Sequence, residues 1–528
     1  MSKNILIGGA WPYANSDLHL GHIAGLISGD VLARFFRLKG DNVMFVSGTD
    51  CHGTPITERA KKEKKNPKEI AEYYHNRDKE TLEKFEFSYD LYTNTDTDFH
   101  KNEVMKMFKK IYDNGYIYEK IEAQAFCEEC GKFLSDRELK ITCPKCGQET
   151  KAEQCDNCGY VPVIEDMKDG ICLECGEKVS LKDNKNLYLA LSKFQKDIED
   201  YVEKNNSLWR ANAKNETTKY LKQGLVDRAV TRDLDWGVDI PVEGYENKKM
   251  YVWIEAVLGY ITATMKKCEE TGKNWEEFWK EEYNPTIYMV HGKDNIVFHS
   301  IIFNALLLAM KENYHLVNTI VSSEYLNIND EKISKSKGNG IPAIELVEQY
   351  GADTLRFHLI NNGPEKKDSN FTIDALIATN NGELSNKFGN LVNRTLKFKG
   401  LEELPTGKLD ETMKAKIEET YKLVGENIEK LEFKEASNIA MELVETANKF
   451  YDDQKPWIQK KEDIEGFNNT IYTCAVIIAN LSNIFEPFMP GICEKIRKYL
   501  QIENKSWELI QPKAGVKLEG IEPLFERM

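Results

Sequence analysis

The sequence predicts an α/β protein: a doubly wound parallel sheet, interrupted by a metal-binding insertion and followed by an all-α bundle. Three observations predict it. Short apolar runs recur at residues 5–7, 43–46, 287–290 and 317–321, and the first three end in polar, Gly-containing loops. That is the pattern of buried parallel strands whose carboxyl ends face a ligand crevice. Four Cys-x-x-Cys pairs lie together between Cys127 and Cys175. Late in the chain, apolar residues recur at helical spacing over long stretches, as they do on the buried faces of packed helices.

With 528 residues and 60.8 kDa, the chain suits three or four domains of roughly 100–200 residues each. Hydrophobic residues make up 41% and charged residues 30%, so sizeable cores are expected. Acidic residues outnumber basic ones, 86 to 71, for a net charge of −15. Global positive charge is therefore excluded as a means of holding nucleic acid, although a local basic surface is not. No uninterrupted apolar run reaches the roughly 20 residues of a membrane span, and MSKNILIGG has no signal-peptide character. The expectation is a soluble, cytoplasmic, multidomain protein with no membrane partner.

Ile5-Leu6-Ile7 reads as a strand that stops at Gly8-Gly9. The loop Trp11-Pro12-Tyr13-Ala14-Asn15 follows, then His19-Leu20-Gly21-His22. Ile23, Leu26, Ile27, Val31 and Phe35 mark a helix that begins there. A helix N-terminus suits phosphate, because its amides are exposed and its dipole is positive. Val43 to Val46 gives the next strand, ending in Ser47-Gly48-Thr49-Asp50-Cys51-His52-Gly53. The run Lys61-Lys62-Glu63-Lys64-Lys65 reads as a solvated helix face.

The cysteine pairs are Cys127/Cys130, Cys143/Cys146, Cys155/Cys158 and Cys172/Cys175. Eight thiolates fill two closed tetrahedral sites, the structural form of Zn²⁺ ligation. Few large apolar residues lie nearby, so metal replaces much of a hydrophobic core. Spacing alone leaves sequential, crossed or nested pairing open. Cys268, Cys474 and Cys493 read as small buried residues.

Met250 to Ala256 reads as a strand leading into Val257-Leu258-Gly259-Tyr260. Ile287 to Val290 is another, ending in His291-Gly292-Lys293-Asp294-Asn295, with an apolar helix from His299 to Met310. Beyond the strand at 317–321 lies Lys332-Ile333-Ser334-Lys335-Ser336-Lys337-Gly338, a loop dense in cations, hydroxyls and Gly. Such a loop can neutralise polyphosphate as charge moves in a transition state. Ala436, Ile439, Ala440, Leu443, Ala447 and Phe450 mark one amphipathic helix, and residues 471–484 carry a second apolar stripe.

Taken together, HLGH and, about 310 residues later, KISKS resemble the two signatures of class I aminoacyl-tRNA synthetases. WPYANSDLHLGH, SGTDCHGTPI, RDLDWGVDIP, YVWIEAVLGY, HGKDNIVFHS, KISKSKGN and GADTLR resemble the methionyl-tRNA synthetase family within that class. The resemblance implies a Rossmann-like catalytic domain in residues 1–118 and 236–325. It also implies a zinc-knuckle insertion at 119–185 with its remainder at 186–235, a KMSKS-type loop and linking region at 326–375, and a helical anticodon-binding domain at 376–528. The activity implied is ATP-dependent activation of methionine and its transfer to the 3′ end of its tRNA, using Mg²⁺ with ATP. A monomer is expected, because the sequence stops at Met528 without the C-terminal dimerising domain that some relatives append. Rival readings are another class I synthetase, which usually carries a larger editing insertion or a zinc in the substrate site, and an RNA-binding zinc protein with no catalysis.

Residue by residue, the resemblance implies catalytic roles on phosphate for His19, His22, Lys332 and Lys335. ATP would be bound by these with Pro12, Tyr13, Asn15, Gly21, Lys293, Asp294, Ser334 and Ser336. Asp50 would hold the substrate ammonium, and Trp11, Tyr13, Trp253, Ala256, Val257, Tyr260 and His299 would line the thioether pocket. Trp11 and Val257 stand where relatives commonly have a smaller apolar residue and Pro, which bears on the pocket's shape. Asn390, Arg394, Pro456 and Trp457 would meet the anticodon. The Leu and Ile of HLGH and KISKS are volume-conserving changes. Nearly equal gaps flank the two middle cysteine pairs, which suits nested sites with the outer pairs closing over the inner ones, and the family resembles this.

Overall fold

The computed structural model describes residues 2–135, 138–152, 155, 157–158, 160, 162–332 and 341–528, with residues 331 and 332 as backbone only. Five parallel strands form the central sheet: β1 (Asn4–Gly9), β2 (Asn42–Thr49), β3 (Leu91–Asn94), β4 (Thr286–Gly292) and β5 (Thr319–Ser323). Their order is β5-β4-β1-β2-β3. The chain winds from β1 to β3 on one side, then returns to place β4 and β5 on the other. The direction reverses between β1 and β4, where a ligand crevice opens at the strands' carboxyl ends.

Alternation along β1 explains how the sheet is covered. Ile5 and Ile7 face one core, shared with helix α1 (Leu20–Leu38) and much of the C-terminal bundle. Leu6 faces the other, with helix α2 (Val252–Thr271). Residues 250–256 are thus not the strand read from the sequence; only Lys249–Met250 pairs, and the helix starts at Val252. Ile254, Val257 and Leu258 are all buried, and periodicity does not separate a helix buried on every side from a strand. A second departure is Lys293–Met310, which has the length and mean hydropathy of a span but is 72% buried inside the protein.

The insertion leaves the sheet as an antiparallel ribbon, Ile117–Cys127 paired with Ser180–Leu189. The cysteines sit at its far end over a small core of Leu134, Leu139, Ile141 and Met167. After α3 (Ala352–Asn362) and α4 (Asn390–Leu396), the bundle comprises α5 (Glu411–Glu429), α6 (Phe433–Gln454), α7 (Pro456–Glu462), α8 (Ile464–Ile484) and α9 (Pro490–Leu500). From Thr473 to Ile484 every residue of α8 is buried, so it is the bundle's central rod.

A buried ionic cluster joins the sheet to the bundle. Asp30 on α1 pairs with Arg34 at 2.8 Å and with Arg356 of α3 at 2.6 Å, and Asp30 and Arg356 are fully buried. Arg34 also reaches Glu486 at 3.0 Å. Arg356 donates to the carbonyls of Pro487, Phe488 and Phe85. Burial opposes the Asp30 charge, but Arg34 and Arg356 outweigh it and hold the carboxyl well below the usual range.

Candidate active site

His19 is the N-cap of α1, and the helix start folds around its two imidazoles. His19 Nδ1 accepts from the Gly21 amide, and His22 Nδ1 accepts from the His19 amide, each at 3.1 Å. With Nδ1 an acceptor in both, the ring proton of each neutral imidazole is on Nε2, which makes Nε2 a donor. The rings lie 3.8 Å apart between centroids. They border a cavity of about 390 Å³ at the sheet's switch point, also lined by Pro12, Tyr13, Gly21, Asp294 and Trp253. A Cβ at Gly25 would stand 3.6 Å from the Gly292 amide, so α1 and β4 approach closely beneath the cavity.

Of the residues expected at the nucleotide, Asn15 and Lys293 do not line this cavity. Lys293 faces a neighbouring trough and is paired with Glu324 at 2.7 Å and Asp368 at 2.8 Å. Ser334, Lys335 and Ser336 lie outside the described residues. Their flanks do not: the Lys332 backbone pairs with Asn327, and Pro342 bridges to His19. The cavity also has His291, Asn295, Ser323, Glu324 and Tyr325 in its wall, to which sequence reasoning gave no part.

A second, smaller cavity of about 40 Å³ adjoins the first. Trp11, Asp50, Trp253, Ala256, Val257, Tyr260 and His299 line it, with Ala10, Asn295 and Phe298 in addition. Tyr13, expected here, borders only the larger cavity, and its hydroxyl accepts from Trp253 Nε1. Trp11 fits because glycine faces it on both sides: a Cβ would come 2.3 Å from its ring at Gly48 and 2.8 Å at Gly259. Its bulk is thus accommodated by the walls. His299 donates from Nδ1 to the Asn295 carbonyl at 2.9 Å, so Nε2 accepts from the Tyr260 hydroxyl at 2.8 Å. Burial lowers the His299 pKa to about 4, against the opposing Asn295 bond, so the ring is neutral at pH 7.

Beneath Asp50 lies a cluster that the sequence did not reveal. His52 Nδ1 meets Glu255 Oε1 at 2.6 Å, and Nε2 faces Asp96 at 3.4 Å. Lys101 pairs with Asp96 at 3.0 Å. Burial opposes the His52 charge, but Glu255 and then Asp96 outweigh it and raise the pKa to about 10. Burial, then Glu255, push the Asp50 carboxyl well above its ordinary range. The available signal was Glu255 itself, a carboxylate inside an apolar run that has to find a partner.

The eight thiols gather into two groups, Cys127, Cys130, Cys172 and Cys175, and Cys143, Cys146, Cys155 and Cys158. This is the nested grouping. Sulfur–sulfur distances within them include 3.4, 3.6, 3.7 and 3.8 Å. Four sulfurs about 2.3 Å from one tetrahedral zinc stand about 3.8 Å apart, so both groups fit the ion. Gly131, Gly147 and Gly176 adopt positive φ one residue after a ligand, where a side chain would be strained.

In the bundle, Asn390 lines a polar cavity of about 250 Å³ with Ser385, Asn386, Asn393 and Arg527. Arg394 lies 4.2 Å over the Tyr451 ring and pairs with Asp452 at 2.9 Å. Pro456 is buried at the start of α7, and Trp457 is 48% exposed beside it. The ring does project outward, as its setting after Lys455-Pro456 suggested.

Comparison with known proteins agrees with these observations. Residues 5–396 match the family model described as tRNA synthetases class I (M), and residues 410–519 match an anticodon-binding domain of tRNA ligase. Methionine–tRNA ligase 1 of Alkaliphilus oremlandii is 43% identical over 528 residues, covering 99% of this chain and 97% of the relative. A methionine–tRNA ligase of Bacillus cereus is 45% identical with the same coverage. In fold, the chain resembles Mycobacterium tuberculosis methionyl-tRNA synthetase in complex with methionyl-adenylate, with a TM-score of 0.82 at 23% identity over 99% of this chain and 100% of that one. The chain therefore belongs to the methionyl-tRNA synthetases, a family of class I tRNA synthetases.

Proposed function

We propose that the chain activates methionine with ATP to methionyl-adenylate, releasing pyrophosphate, and then passes the methionyl group to the 3′ end of its tRNA. The observation that carries this is the junction of the two cavities, where Trp11, Trp253 and Asn295 belong to both walls. A side chain seated against Tyr260 and His299 directs its carboxylate toward the nucleotide cavity and its ammonium toward Asp50. One carboxylate oxygen attacks the α-phosphorus as the bond to pyrophosphate breaks, so the protein's task is positioning and charge stabilisation. His19 and His22 donate to phosphate from Nε2. Lys335, with Lys332, neutralises the leaving pyrophosphate. Pro12, Tyr13, Gly21 and Asp294 hold the nucleotide.

Thioether selection rests on shape, on aromatic contacts with sulfur worth roughly 0.3–1.5 kcal/mol, and on the polar Tyr260–His299 pair that a branched aliphatic chain leaves badly matched. Mg²⁺ bound with ATP would supply further charge neutralisation on the phosphates. Zn²⁺ in the two cysteine groups would be structural, since all four positions of each are sulfur. Eight thiolates suit a reducing compartment, which supports a cytoplasmic location. Asn390, Arg394 and the exposed Trp457 ring suit contact with unstacked anticodon bases. ATP–pyrophosphate exchange with each amino acid tests the reading. Methionine should exceed leucine and isoleucine at least several hundredfold, and equal activity with another amino acid would refute it.

A further inference from the structure

The cluster beneath the smaller cavity can be balanced group by group. Three carboxylates, Asp50, Glu255 and Asp96, face two cations, His52 and Lys101. Lys101 is paired with Asp96, and His52 is closest to Glu255, which is fully buried on α2. Asp50 makes no ion pair among the described residues; it accepts the His52 amide at 3.2 Å and lines the cavity. His100 and Cys51 adjoin the cluster as neutral groups, and Trp236 packs edge-on against the imidazole. Two buried carboxylates in one site cannot both stay ionised without a counter-charge. If His52 did not hold Glu255, then Glu255 and Asp50 would compete for any cation that entered.

We propose that His52 is a positioning residue for substrate: its imidazolium neutralises Glu255, which reserves Asp50 for the ammonium of the amino acid. The same contact ties the segment just after β2, which carries Asp50, to α2, which carries Trp253, Ala256, Val257 and Tyr260. His52 therefore sets the distance between the site for the amino group and the site for the side chain. The inference rests on reading the smaller cavity as the amino-acid site, and exchange by the wild-type chain checks that reading first. Absence of methionine-dependent exchange there overturns both.

The experiment is ATP–pyrophosphate exchange by His52→Ala, His52→Gln, Glu255→Gln and the double variant His52→Ala/Glu255→Gln, with thermal melting recorded for each. His52→Ala should raise KM for methionine ten- to a hundredfold and leave KM for ATP within twofold. Glu255→Gln in the same chain should recover at least tenfold of that loss, because the charge left bare by His52→Ala is gone. A purely structural role would instead lower the melting temperature and raise both KM values together, and restore all three together in the double variant. An unchanged KM for methionine in His52→Ala, a parallel rise in both KM values, or no recovery in the double variant overturns the proposal. If His52→Ala does not fold, His52→Gln with and without Glu255→Gln gives the same comparison.

Discussion

Adding one methyl group at Gly259 tests whether Trp11 is a fixed wall of the amino-acid pocket. A Cβ there would lie 2.8, 3.1 and 3.2 Å from three atoms of the Trp11 ring, where ordinary contact begins near 3.4 Å. The ring cannot retreat far, because Gly48 on its other face is already so close that a Cβ would meet it at 2.3 Å. It must slide by roughly half an ångström within its plane or into a cavity of about 40 Å³. Overpacking of this kind costs about 1–3 kcal/mol. Gly259 lies inside α2, so alanine also regains about 1 kcal/mol of helix propensity, and net stability should fall by no more than about 2 kcal/mol. The pocket has no such compensation. If the strain falls on bound methionine, about 1–3 kcal/mol corresponds to a roughly 5- to 150-fold higher Kd. Exchange kinetics and chemical denaturation on Gly259→Ala separate the two effects, and adding Trp11→Phe should restore binding. A KM for methionine within twofold of wild type would refute the reasoning, since Trp11 would then be free to move.

Four further outcomes are expected. Lys335→Ala should lower the rate of adenylate formation by roughly 10²–10³ with methionine binding nearly unchanged, as single-turnover kinetics will show. Trp457→Ala should weaken tRNA charging about ten- to a hundredfold, the scale of one lost base stack, while tRNA-independent exchange stays within twofold. Because burial and then Glu255 push the Asp50 carboxyl above the usual carboxylate range, methionine should bind weakly where that group is protonated and tighten as pH rises through its ionisation, with the slope absent in Asp50→Asn; calorimetry over a pH series reads this. Cys143→Ser should remove one zinc and leave the other, measured by metal analysis, because the four outer ligands do not include it.

The sequence made legible what is local and periodic. HLGH announced a helix start because His, Gly and His precede an apolar stripe, and the Cys-x-x-Cys spacing announced metal whatever the pairing. What stayed hidden depends on distant segments meeting. His52 and Glu255 are 203 residues apart, and no local pattern links them. Arg527 reached the cavity beside Asn390 only through the path of the tail. The helix at Val252 reads as a strand in sequence because burial on all sides erases the polar face by which a helix is recognised. Lys293 follows the strand end as a nucleotide contact should, yet its ammonium is already held by Glu324 and Asp368.

The cluster around Asp30 has a consequence for modularity. On a rod that rises about 1.5 Å per residue, Asp30 sits about 12 Å beyond His22, so one rigid helix presents the phosphate-facing imidazoles at its start and is gripped by the bundle further along. Removing the bundle would strip Arg34 of Glu486 and Arg356 of two carbonyl acceptors. A foreign bundle that covered the cluster without these partners would leave charge buried and under-paired, at a cost of up to about 3–5 kcal/mol, a large share of the roughly 5–15 kcal/mol that holds a typical domain folded. The two halves are therefore not interchangeable cassettes. A bundle borrowed from a relative would graft successfully only if it brought a carboxylate at position 486 and the turn that follows it.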